Sequence, residues 1–124
     1  MNYLIRQIGI FYYNKEWAKQ LFDTILHEIP PETINKYSSK YLQIAFKDGS
    51  CLNFVNANIP ARGRKFSEIY IQDGIDVEIY RYVILPCLNP RKAKLVQIIR
   101  NAEDIFTGYL SAKEYYDSYN NKSN

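Results

Sequence analysis

A chain of 124 residues with 47% hydrophobic and 23% charged residues has ordinary globular composition, which excludes a disordered chain and suits one domain needing no metal or disulfide staple. Its formal net charge of +3 tolerates nucleic acid as a partner and excludes an acidic mimic of DNA. The longest apolar runs, such as Tyr82 to Leu85, fall far short of the ~20 residues that span a bilayer, and the N-terminus carries no signal-peptide pattern, so the expected location is the cytoplasm, away from membranes.

In chain order, Tyr3 to Tyr13 is dense in β-branched and aromatic residues and predicts a buried strand. Asn14 then suits a helix cap, and the helix is expected to run to about Ile29. Trp17, Ala18, Leu21, Phe22, Ile25 and Ile29 recur at helical spacing, with Glu16, Gln20, Asp23 and His27 on the opposite face. Pro30-Pro31 stops it. His27, the only histidine, falls on the wet face near the helix C-terminus and reads as surface decoration.

Residues 30–40 read as a polar connector. Tyr41 to Lys47 and Cys51 to Val55 then flank Asp48-Gly49-Ser50, and Asp-Gly between alternating runs is the strongest short-range hairpin signal. Asn56 to Arg64, with its Asn, Pro and Gly, reads as a loop, and Phe66 to Gln72 as a strand that ends at the Asp73-Gly74 turn. The stretch Asp76 to Leu85 leaves two readings open. Val77, Tyr80 and Ile84 suit a helix capped by Asp76, whereas Val77, Ile79, Val83 and Leu85 suit a strand returning across the turn.

Pro86 and Pro90 bound a short loop, Ala93 to Ile99 predicts a strand, and Ser111 opens a helix to about Tyr119, leaving residues 120–124 as a frayed tail. The expectation is an α/β or α+β fold: a single domain over residues 1–119, with a mixed sheet, a β-hairpin and flanking helices. Cys51 and Cys87 sit in apolar contexts without CxxC spacing, so both are expected as buried thiols and no zinc site is expected.

From residue 41 to 100 the order of features resembles the ATPase domain of the large terminase subunit of tailed phages, a branch of the P-loop NTPases. Lys47-Asp-Gly-Ser50 with Leu52-Asn-Phe-Val55 is similar to that family's hairpin, and Ala61-Arg-Gly-Arg64 to its approach to the Walker B strand. Ile69-Tyr-Ile-Gln-Asp73 resembles Walker B, while Tyr82 to Pro86 and Lys94 to Ile99 resemble the helix ending in proline and the coupling strand. The resemblance implies a truncated P-loop core with Asp73 in the place of the Mg²⁺-holding acid.

The departures fall on the chemistry. Gly74 occupies the position of the catalytic glutamate, and Arg100 that of the small hydroxyl residue of the coupling motif. No G-x-x-x-x-G-K-[ST] exists in the chain. Arg6-Gln-Ile-Gly9 resembles the start of a terminase Walker A, but Ile10 and Phe11 then stand where Lys and Ser or Thr would meet the phosphates.

Other chemistries lack their parts. Glu68, Asp73, Asp76 and Glu78 raise a metal-dependent nuclease, yet no lysine follows two positions after an acid there. Ser/His/Asp and Cys/His catalysis would both depend on His27. Arg62, Arg64 and Lys65 form the densest cationic group, with Arg91, Lys92 and Lys94 a second, and a set of three phosphate contacts on duplex DNA would give a salt slope of about −2.7.

The functional expectation is a non-catalytic protein of a phage or other mobile element, carrying a degenerate ATPase-like domain and acting by binding. A protein complex is the expected partner, and nucleic acid a further one through Arg62, Arg64 and Lys65. The expected binding residues are these three cations with Asp73, and no cofactor or metal is expected. The alternative is a small phage-encoded inhibitor of a host defence nuclease, of the anti-CRISPR type.

Overall fold

The strand Gln7–Tyr12 (β1) lies inside the sheet with parallel neighbours on both sides, and Ile8 to Tyr12 are buried on both of its faces. A parallel strand covered on two faces reads as a continuous apolar run, which is why IGIFY shows no alternation. It is shorter than the expected Tyr3 to Tyr13, since Tyr13 is already exposed. The computed structural model describes residues 5–58, 65–88 and 96–99.

Asn14 ends the strand and caps the helix Lys15–Glu28 (α1), its side-chain oxygen accepting from the Trp17 backbone nitrogen at 3.0 Å. Ala18, Leu21, Phe22 and Ile25 are buried along one stripe, and Trp17 and Ile29 are partly buried beside them. The stripe packs on Ile8, Ile10 and Tyr12 of β1, with the ring of Phe22 edge-on to Phe54 at 5.9 Å. Full burial of a side chain such as Phe22 contributes about 2–3 kcal/mol. His27 is exposed, as its place on the helix predicts.

The expected polar connector at residues 30–40 is a correction. A single 3₁₀ turn, Pro31–Thr33, leads into the strand Ile34–Ser38 (β2), which pairs antiparallel with Gln43–Phe46 (β3). Asn35, Lys36 and Tyr37 are exposed because β2 is an edge strand, so its sequence carries no hydrophobic alternation. The hairpin of β3 with Cys51–Asn56 (β4) stands where Asp48-Gly49 predicts it. Gly49 takes φ +93° and donates to the Phe46 carbonyl, while the Asp48 carboxylate accepts from the Ser50 nitrogen at 2.8 Å.

The next strand is Glu68–Gln72 (β5), parallel to β1 on the side opposite β4. It begins two residues later than expected, because Phe66 instead makes an isolated bridge to Leu88. Asp73 and Gly74 turn the chain, Gly74 with φ +104°. The ambiguous stretch is helical: one turn at Val77–Ile79 (α2) widens into a π-type turn at Tyr80–Ile84 and tightens into a 3₁₀ turn at Leu85–Cys87. A returning strand is excluded because both edges of β5 are taken, one by β1 and the other by Val96–Ile99 (β6).

Among the described residues the result is a six-stranded mixed sheet in the order β2-β3-β4-β1-β5-β6, with two helices, an α/β domain. One core lies between α1 and the face carrying Ile8, Ile10, Leu52, Phe54 and Tyr70. The other lies between the 77–87 helical segment and the face carrying Phe11, Val55, Ile69, Ile71 and Ile98. No described helix is long and apolar enough to cross a membrane. The expected helix from Ser111 to Tyr119 and the tail at 120–124 lie outside the described residues.

Candidate functional site

β1 and β5 are neighbours whose onward connections leave over opposite faces, β1 through α1 and β5 through the 77–87 segment. Their C-terminal ends therefore mark the topological switch point, where an open α/β sheet usually receives its ligand. Tyr13, Asn14, Gln72, Asp73 and Gly74 occupy this end. Gln72 is only 6% exposed, and its side-chain oxygen accepts from the backbone nitrogens of Tyr13 at 2.9 Å and Asn14 at 3.2 Å. The Tyr13 hydroxyl donates to the Asp73 carbonyl at 2.9 Å.

Three of the backbone N–H groups around the start of α1, where such donors cradle an anion in a nucleotide site, are thus met from within the chain. The Asn14 side chain takes the Trp17 nitrogen, and Gln72 takes those of Tyr13 and Asn14, just ahead of the helix. Asp73 is half-buried, and its own nitrogen donates to the Ile99 carbonyl at 3.0 Å, tying the turn to β6.

Gly9 lies in the middle of β1, where a Cβ would stand 2.9 Å from the ring of Phe66. Its missing side chain serves packing, since the Phe66 ring also meets Phe11 edge-on at 5.9 Å. Ile10 and Phe11, at the positions of the phosphate-binding lysine and hydroxyl in the resemblance, are fully buried in opposite cores.

Of the expected cationic group, Arg62 and Arg64 lie outside the described residues. Lys65 is exposed, and its ammonium donates to the Pro86 carbonyl, which ties the strand approach to the end of the helical segment. The four acids considered for a nuclease are not gathered. Glu68 begins β5 while Asp73 follows its end, about 17 Å away at strand rise. No described group of three or more His, Cys, Asp or Glu could hold a metal ion.

Glu68 instead meets Arg6 in a two-pronged pair, Nε to Oε2 at 2.6 Å and Nη2 to Oε1 at 2.8 Å, and Tyr70 donates its hydroxyl to Oε1 at 3.1 Å. The hydrogen bond to Glu68 raises the Arg6 pKa further, against the opposing effect of burial. This cluster sits at the N-terminal ends of β1 and β5 and locks their register.

A second surface was not visible in the sequence. On the sheet face opposite α1, the register aligns Lys36, Ala45 and Cys51 in one row and Ser38, Gln43 and Asn53 in the next. The helical segment packs over the β1, β5 and β6 side of that face, and the rows line a groove of about 450 Å³. Tyr41, 63% exposed, also lines it, whereas Tyr37, 56% exposed, edges it from β2 in the row of Ile44, which belongs to the α1 face. Cys51 corrects the expectation of a buried thiol: it is half-buried here, donating to Gln7 Oε1 at 2.9 Å, whereas Cys87 is buried as expected.

Next to Tyr41, Leu42 takes φ +53°, a left-handed conformation that costs a non-glycine residue about 1–2 kcal/mol. Its side chain is buried against the α1 core at 4% exposure, and the Ser38 hydroxyl accepts from the Tyr41 nitrogen at 3.1 Å. The reversal sends Leu42 inward and leaves Tyr41 at the groove mouth. The sequence signal was present only as two tyrosines flanking a serine-rich turn, because the rows exist only once three strands are in register.

No family model matches this chain, and no curated protein or solved structure matches it either.

Proposed function

We propose that the protein is a non-catalytic binding module, related in layout to a degenerate ATPase core of a phage or other mobile element, that acts by docking on a protein or nucleic-acid complex. The observation that carries this reading is the contact of Gln72 with the amides of Tyr13 and Asn14, which fills the end of β1 just ahead of α1 with a neutral carboxamide. Ile10 and Phe11 support it from the other side, since two buried apolar side chains offer a triphosphate neither charge nor hydroxyl.

Gly74 adds a steric argument. A residue with a side chain there would have to adopt φ +104°, a conformation that favours glycine, and would displace the Tyr13 hydroxyl, 2.5 Å from a Cβ, from the Asp73 carbonyl. Calorimetric titration with ATP and Mg²⁺ tests the reading. No heat of binding and no phosphate release are expected, and micromolar affinity with turnover would overturn it. Affinity purification from the native host then identifies the complex that is bound.

A further inference from the structure

We draw no further inference here: the strongest candidate, the groove of about 450 Å³ on the open face of the β2-β3-β4 sheet, carries nothing, because nothing among the described residues shows what covers it.

Discussion

The side-chain oxygen of Gln72 lies 2.9 Å from the backbone nitrogen of Tyr13, so the end of one central strand is stitched by a side chain to the exit of its neighbour. The same oxygen accepts from Asn14, and the residues it joins are 58 and 59 positions apart in the chain. One buried carboxamide therefore satisfies two backbone donors that would otherwise stand unpaired at the entrance to α1.

Truncating that carboxamide should be costly. Gln72→Ala removes the shared acceptor and is expected to destabilise the fold by about 1–3 kcal/mol, the cost of leaving buried donors unmet. Urea denaturation followed by circular dichroism measures it, and an unchanged midpoint would mean that water replaces the carboxamide without loss.

Gly74 and Tyr13 are expected to be coupled. Gly74→Ala must adopt φ +104° and also place a Cβ 2.5 Å from the Tyr13 hydroxyl, so it should cost more than the about 1–2 kcal/mol of left-handed strain alone. Tyr13→Phe removes the colliding oxygen. The double variant should then be less destabilised than the sum of the single ones, and strict additivity in a double-mutant cycle would contradict the contact.

Gly9 makes a packing prediction without backbone strain. Gly9→Ala drives a methyl group into the Phe66 ring at 2.9 Å in a fully formed core, with an expected cost of about 1–3 kcal/mol. Combining it with Phe66→Leu should recover part of the loss of the glycine substitution. A thermal melt in which the single Gly9→Ala variant matches the parent would show that the ring moves aside freely.

The Arg6–Glu68 pair should contribute modestly. Arg6 is 52% exposed and Glu68 16%, so solvent screens the pair and Arg6→Gln is expected to cost no more than about 1 kcal/mol, less at high salt. The pH dependence has a definite sign. A guanidinium whose pKa is raised in the folded state contributes stability that is fully present below its unfolded pKa and lost only as pH climbs past it. Stability from Arg6 should therefore stay constant through neutral and mildly alkaline pH, and a loss near neutrality that disappears in Arg6→Gln would contradict the assignment.

What was legible beforehand follows from the range of each signal. The Asn14 cap, the apolar stripe Ala18 to Ile25 and the Asp48-Gly49 hairpin are local, each needing only neighbours a few residues away, and all three are found in place. The turn at Asp73-Gly74 is local too. β2 escaped notice because an edge strand whose middle is exposed on both faces has no alternation to display, and its pairing with β3 is what makes INKYS a strand.

By itself, then, the sequence determined where α1 starts, which face it buries, where the hairpin folds back and that the chain holds no G-x-x-x-x-G-K-[ST]. Only the tertiary structure decided that residues 77–87 are helical, because β6 had to claim the second edge of β5 before a strand there became impossible. It alone decided that Gln72 meets Tyr13 and Asn14, and that Lys36, Gln43 and Asn53 share one open face. The division has a physical basis. Caps, stripes and tight turns are set by interactions within a few residues, whereas register and the partners of a buried carboxamide depend on contacts between strands far apart in the chain.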